Sequence, residues 1–224
     1  MSHWPPEQDV LRAEIVRVGA SLFQRGYVHS TAGNISVRLN AAQGGGYLVT
    51  PTDACLGFLD PAQLAWVAED GAQLGGARAS KTLTLHRRIY GAAPEASCVI
   101  HSHATHLVAL TLQGVWQPDD ILPPLTPYQV MKVGHVPLIP YQVPGAESVA
   151  DAVAQRIAAA ARPLRAVMLD RLGPTVWHGS LAAAMALLEE LEETARLWLL
   201  SGRSAAPLSA AQVDELRALF NAPW

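Results

Sequence analysis

The chain has 224 residues, of which 50% are hydrophobic and only 16% are charged. A chain of this length and composition can bury a sizeable core, which argues against intrinsic disorder and for one domain spanning residues 1–224. Sixteen basic against nineteen acidic residues give a formal net charge of −3. This balance does not favour nucleic acid or an anionic membrane surface as a partner.

The cysteine content and the start of the sequence bear on the cellular compartment. The opening residues MSHWPPEQD have neither a basic start nor an apolar stretch, so they do not resemble a secretory signal. No run of the sequence approaches the roughly 18 apolar residues that a membrane span needs. Two cysteines, Cys55 and Cys98, are too few for a disulfide framework. We therefore expect a cytoplasmic protein with reduced thiols.

Helices and strands intermix along the whole chain. Apolar residues at helical spacing predict a first helix over 10–24, ended by Gly26. A Gly-rich turn between strand patterns over 35–39 and 47–50 predicts a hairpin. The later predictions, in chain order, are a helix over 81–90 capped by Ser80, a strand running into His101, a helix ending at Leu112, an edge strand over 136–141, a helix over 146–161, strands over 166–169 and 175–177, a helix from Ser180 to Leu200, and a helix over 210–220 begun by Ser209. This order predicts a three-layer α/β/α domain with a mixed sheet. The acidic run over 189–193 is interpreted as the solvated face of its helix.

Two histidines at the end of a predicted strand could bind a metal ion. Residues i and i+2 of a strand point to the same face, so His101 and His103 should project together. Two imidazoles on one face can hold Zn²⁺ or a similar divalent ion. Alone, however, this pattern is more typical of histidines that hydrogen-bond locally.

Three polar turns could bind a phosphate group. We call residues 31–34, 50–52 and 80–81 the donor-rich turns, because they combine hydroxyls, backbone N–H groups and one lysine. These are the groups that a phosphate monoester needs. The same residue types are equally common in ordinary turns and helix caps.

The order of these features resembles a known family. The strings TAGNISVR, VTPTDACLGFLD, ASKTLTLHRRIY and CVIHSHATH are similar to the class II aldolase/adducin family, which contains L-fuculose-1-phosphate aldolase. The resemblance runs from about Leu11 to the end of the chain. The later strings LTPYQVMKVGHVPLIPY and LEELEETARL are most similar to the branch of 3-oxo-tetronate 4-phosphate decarboxylases.

The resemblance implies a function, a set of site residues and an assembly. It implies a class II aldolase-like α/β/α fold with a largely antiparallel sheet, and a metal-dependent carbon–carbon lyase acting on a small sugar-acid phosphate, most simply by decarboxylating a 3-oxo-tetronate 4-phosphate. The metal, usually zinc, polarises a carbonyl or enediolate oxygen. The implied residues are His101 and His103 as metal ligands, Gly33, Asn34, Thr52, Ser80 and Lys81 at the phosphate, and Tyr128 as a catalytic residue that a neighbouring subunit could supply. Family members of this size form homotetramers.

Three positions depart from the family pattern. Thr82 stands where the family has its catalytic glutamate, and a threonine hydroxyl cannot serve as a general base near neutral pH. Leu172 stands where an Asn-His-Gly turn supplies the third metal histidine, so the metal site is weakened. Asp53 replaces a common glycine beside the phosphate turn and would repel a phosphate unless a cation such as Lys81 compensates. Asp170 is a candidate for a substitute ligand, and His178 is another, although across the Gly173-Pro174 turn it should lie too far from the lost position.

These departures leave three hypotheses open. The first is a metal-dependent lyase. The second is a degenerate member of the family that binds a ligand or a partner without this catalysis. The third is a changed reaction in which Lys81 forms a Schiff base and replaces the metal as the electron sink.

Overall fold

The computed structural model describes residues 4–224, and its helices and strands follow the predicted order. The elements are α1 (Asp9–Gln24), β1 (Asn34–Arg38), β2 (Tyr47–Val49), β3 (Ala65–Val67), β4 (Gln73–Gly75), α2 (Leu83–Ala92), β5 (Cys98–His101), α3 (Thr105–Gln113), β6 (Leu138–Ile139), α4 (Glu147–Ala159), β7 (Ala166–Leu169), β8 (Gly173–His178), α5 (Leu181–Leu200) and α6 (Ala210–Phe220). The strands β3 and β4 lie where the sequence predicts no strand, because each has only three residues and alternation cannot be recognised over so short a run.

The eight strands form one sheet in the order β4-β3-β2-β1-β5-β8-β7-β6. Every neighbouring pair is antiparallel except β6 and β7, which are parallel. The predicted hairpin is confirmed, since β1 and β2 pair directly. The proline-containing strand predicted over 136–141 is indeed an edge strand, but in the structure it consists of only the two residues of β6.

Helices cover both faces of the sheet, which confirms the three-layer α/β/α architecture. Residues of α1, α3 and α5, including Ile15, Leu107 and Leu188, share one buried cluster with the sheet. Residues of α2 and α4, including Ile89 and Val153, form a second cluster on the other face. Among the described residues, no helix combines the length and the apolar character needed to cross a membrane.

Helix starts agree with the predicted caps except at α2. The Ser180 hydroxyl accepts the Ala183 N–H at 3.2 Å, and the Ser209 hydroxyl accepts the Gln212 N–H at 3.3 Å. At α2 the helix begins at Leu83 instead of residue 81. The chain before it is held as a turn, in which the Ser80 N–H donates to the Thr50 carbonyl at 3.3 Å.

The interpretation of 189–193 as a wholly solvated face is wrong at Glu192. This side chain is 4% exposed and accepts the backbone N–H groups of His106 and Leu107 at 3.0 and 3.1 Å. Its carboxylate therefore satisfies free donors in the first turn of α3, where a negative charge is also favoured by the helix dipole. Helical periodicity alone does not show which glutamate of the run meets a neighbouring helix.

A buried histidine links α2 to the sheet. His86 Nδ1 lies 2.7 Å from the Ser36 hydroxyl on β1, and that hydroxyl lies 2.8 Å from the Tyr90 hydroxyl. Burial lowers the pKa of His86 from 6.5 to about 3. His86 is therefore neutral in the folded protein between about pH 3 and pH 6.5, where an unfolded chain would protonate it.

We expect His86 to make the fold sensitive to acid. The unfolded chain binds a proton below about pH 6.5 and the folded chain only below about pH 3, so its contribution to stability is complete above 6.5 and is lost as the pH falls towards 3. The substitution His86→Gln should reduce the slope of the unfolding free energy against pH by about 1.4 kcal/mol per pH unit in that window. This reduction corresponds to one proton fewer taken up on unfolding.

Denaturant titrations between pH 3.5 and 7 measure this slope. The exposed Gln24 provides the control, since Gln24→Ala removes no titrating group and should leave the slope unchanged. Equal slopes for wild type and His86→Gln would contradict the prediction.

Candidate ligand-binding pocket

A cavity of about 360 Å³ lies where several strand ends and loops meet along one edge of the sheet. Its walls come from the turn before β1, the end of β2, the start of α2, the end of β5, the turn between β7 and β8, and the segment after β6. Nine of the residues singled out from the sequence line it: Gly33, Asn34, Thr52, Asp53, Ser80, Lys81, Thr82, His101 and His103. Positions spread over 70 residues of sequence thus share one pocket.

His101 and His103 lie side by side on the pocket wall, as their i, i+2 spacing predicts. Their ring centroids are 5.1 Å apart. His101 Nδ1 lies 3.1 Å from the Pro174 carbonyl and 3.0 Å from the Thr175 hydroxyl. A carbonyl can only accept, so Nδ1 carries the proton and Nε2 keeps its lone pair.

Burial keeps both imidazoles neutral. It lowers the pKa of His101 to about 3, with the neighbouring His103 and His86 as further causes. Burial, and then the nearby His29, lower the pKa of His103. Neutral imidazole is the form that binds metal ions.

Backbone pairing brings the donor-rich turns together. The Thr52 N–H donates to the Arg78 carbonyl at 2.9 Å, and the Ser80 N–H donates to the Thr50 carbonyl at 3.3 Å. Gly33 has a φ of +81°, and a Cβ there would lie 2.9 Å from the His101 carbonyl, so the turn before β1 needs glycine to approach β5 this closely.

Asn34 is the one buried side chain of these turns with an unsatisfied group. It is 7% exposed, it lines the pocket, and its Oδ1 has no hydrogen-bond partner among the described residues. Buried polar groups are normally paired. A ligand with a hydroxyl or an N–H group would supply the missing donor.

All three departures from the family pattern, Asp53 included, lie at the same pocket. Thr82 and Leu172 both line it. The Thr82 N–H donates to the Ser80 hydroxyl at 3.3 Å, while Leu172 is partly buried and packs on the apolar cluster beneath α2 and α4. The acidic side chains on the pocket wall are Asp53 and Asp170, and the wall has no glutamate.

The donor set does not fit a metal ion bound by three protein side chains. Among residues 4–224, no three His, Cys, Asp or Glu side chains are placed to hold one. Asp170 lines the pocket but does not complete such a group. His178 is paired with Cys98, at the end of β8 remote from the Thr175–His101 pair, so it lies three strand residues away, or about 10 Å. His101 and His103 alone are left as candidate ligands.

Tyr128 is the one predicted site residue that does not line the pocket of its own chain. It is 62% exposed and precedes the π-helical turn Gln129–Val133. The pocket contains instead Tyr141 and Arg171, which sequence reasoning did not single out as site residues. Arg171 could have been noticed, because it directly precedes the altered position Leu172; Tyr141 carried no such signal.

Fold and pocket together define a class II aldolase-type domain, and comparison with known proteins agrees. Residues 13–199 match the family model Class II Aldolase and Adducin N-terminal domain, and the chain belongs to this family. The family is one of divalent-metal-dependent lyases.

The similarity to individual relatives extends over nearly the whole chain. It is 57% identical to the 3-oxo-tetronate 4-phosphate decarboxylase of Cupriavidus necator, covering 96% of this chain and 97% of the relative. It is 41% identical to the protein of the same name from Escherichia coli K12, covering 97% and 100%. The solved structure of YgbL from Escherichia coli has a TM-score of 0.85 at 41% identity over 93% of this chain and 98% of the other. An L-fuculose 1-phosphate aldolase, at 21% identity and a TM-score of 0.80, shares the fold.

We expect this chain to bind zinc weakly and to exchange it readily, since it offers two imidazoles where catalytic zinc has three protein ligands. Restoring the missing imidazole with Leu172→His should raise zinc affinity at least about tenfold, equivalent to about 1.4 kcal/mol. Competition with a chromophoric chelator measures this affinity.

The control adds an imidazole away from the pocket. Leu74 is 49% exposed on β4, and Leu74→His should leave zinc affinity unchanged. Stoichiometric, tightly held zinc in the dialysed wild type would contradict this reading of Leu172 and would indicate that Asp170 completes the site.

Proposed function

We propose that this protein is a carbon–carbon lyase that decarboxylates a 3-oxo-tetronate 4-phosphate in the cytoplasm. The observation that carries the proposal is the pocket, in which three donor-rich turns and two neutral imidazoles meet in a chain that is 57% identical to a protein named for this reaction. The donor-rich turns would hold the phosphate through backbone N–H groups, hydroxyls and Lys81.

The reaction requires a place for one electron pair. The bond between the carboxyl carbon and C2 breaks, CO₂ leaves, and the pair moves onto the C3 carbonyl oxygen; a proton from water then returns to C2 and gives glycerone phosphate. Lys81 and Arg171 are the cationic side chains on the pocket wall, and they would oppose the negative charge of the bound ligand. We assign no step to a metal, because the donor set does not fit the family's three-ligand site.

A second function is favoured by Thr82 and Leu172. Without the glutamate and the third histidine, the same pocket would bind the phosphorylated acid and turn it over slowly or not at all. The fold tolerates both changes, because Thr82 remains in the turn before α2 and Leu172 packs on an apolar cluster. Such a protein would be a binding member of the family.

Restoring both family residues tests the lyase directly. The double variant Thr82→Glu, Leu172→His should gain zinc affinity and increase CO₂ release from 3-oxo-tetronate 4-phosphate, because it regains the acid/base group and the third ligand. Leu172→His alone should recover most of the binding and little of the rate, because Thr82 still lacks an ionisable group.

CO₂ release and formation of glycerone phosphate measure the rate, with and without added zinc. Slow or absent turnover in the wild type together with a gain in the double variant would support the binding function. Brisk turnover in the wild type would support the lyase, and borohydride trapping of a covalent adduct on Lys81 would then assign the electron sink to a Schiff base.

We further propose a homotetramer in which Tyr128 contacts the pocket of a neighbouring subunit. Large apolar side chains are exposed on the described part of the single chain, including Leu112 at 58%, Trp116 at 40% and Tyr128 at 62%. Burial of such residues between subunits would remove them from water.

Light scattering should therefore give a mass of about four times the chain mass of 23.9 kDa at micromolar concentration. A particle with the mass of one chain would contradict the assembly. Because Tyr128 lies outside the pocket of its own chain, that result would also remove it from the site.

A further inference from the structure

Arg171 occupies the end of the pocket away from the donor-rich turns. Along the sheet edge the strands follow the order β2-β1-β5-β8-β7, with the turns 31–34 and 50–52 at β1 and β2 and Arg171 in the turn between β7 and β8. Three strand spacings separate β1 from β7, about 14 Å between backbones. The side chains of Lys81 and Arg171 both line the pocket.

The Arg171 guanidinium is free to bind a ligand. Arg171 is exposed, and its backbone N–H donates to the Thr111 hydroxyl at 3.1 Å. Among residues 4–224 its side chain has no ion pair and no hydrogen bond. Even the adjacent Asp170, which lines the same pocket, does not pair with it. An arginine with five unpaired donors on a pocket wall is suited to a planar anion.

The backbone at Arg171 indicates that the side chain matters. Its φ is +60°, a left-handed conformation that asparagine tolerates and that disfavours arginine. Arginine is thus present at a position where its backbone is strained and asparagine would be accommodated more easily.

We propose that Arg171 binds the carboxylate of the ligand, so that the pocket selects a short chain with a phosphate at one end and a carboxylate at the other. This inference rests on the proposed function in one respect only, namely that the donor-rich turns bind the phosphate of the ligand. A guanidinium binds a carboxylate through two parallel hydrogen bonds, and this geometry sets the direction in which the ligand lies. It places the carbons between the two anionic groups beside His101 and His103.

Two inert ligands isolate the contribution of the carboxylate. Erythronate 4-phosphate carries both anionic groups, and erythritol 4-phosphate has a hydroxymethyl group in place of the carboxylate. By calorimetry, the wild type should bind the acid about tenfold or more tightly than the alcohol. Arg171→Asn should abolish that preference while leaving the affinity for the alcohol unchanged.

The choice of variants separates binding from folding. Asparagine suits the left-handed backbone, so Arg171→Asn should be at least as stable as the wild type in thermal unfolding. Asp170→Asn removes the neighbouring negative charge and should strengthen binding of the acid. Arg162, which is exposed and outside the pocket, provides the matched control, since Arg162→Asn should change neither affinity.

The outcomes distinguish the proposed phosphate pocket from the proposed role of Arg171. If the wild type binds neither ligand, the proposed phosphate pocket fails and this inference fails with it. If the wild type binds both ligands equally well, or if Arg171→Asn weakens both to the same degree, the phosphate pocket stands and the role of Arg171 is wrong. Loss of the preference for the acid in Arg171→Asn alone supports it.

Discussion

The geometry of the pocket depends on one close approach between two backbone segments. A Cβ on Gly173 would lie 2.0 Å from the Ser102 carbonyl oxygen and 3.1 Å from the His103 Cα, so the start of β8 can meet the end of β5 only at a glycine. The Ser102 N–H donates to the Pro174 carbonyl at 3.1 Å across the same contact. This contact brings the turn that carries Arg171 beside the histidine pair.

Burial gives the pocket its chemical character. The imidazoles of His101 and His103 are kept neutral because a proton would be poorly solvated there. The charged side chains of the wall are Lys81, Arg171, Asp53 and Asp170, so the pocket is formally balanced without a ligand. A phosphorylated acid would therefore be bound by local pairing with single cations, aided by backbone N–H groups, and not by a general excess of positive charge.

The likeness to decarboxylases and the changes at two positions are compatible because they involve different parts of the structure. The donor-rich turns are held by backbone pairing between Thr52 and Arg78 and between Ser80 and Thr50, and this pairing does not depend on the side chain at 82 or 172. The scaffold and the phosphate end of the pocket can thus stay the same while the chemistry at the imidazole end changes. Fold similarity therefore constrains the reaction less than the side chains do.

The sequence by itself determined the order of elements, the caps at Ser180 and Ser209, the sharing of one face by His101 and His103, and the family, because each follows from local spacing or from contiguous motifs. Only the tertiary structure decided which distant turns share a wall, that Glu192 is buried against α3, and that Tyr128 does not line the pocket of its own chain. These depend on strand order and on approaches between residues remote in sequence. Such contacts are set by packing across the sheet, and the local periodicity of the sequence carries no information about them.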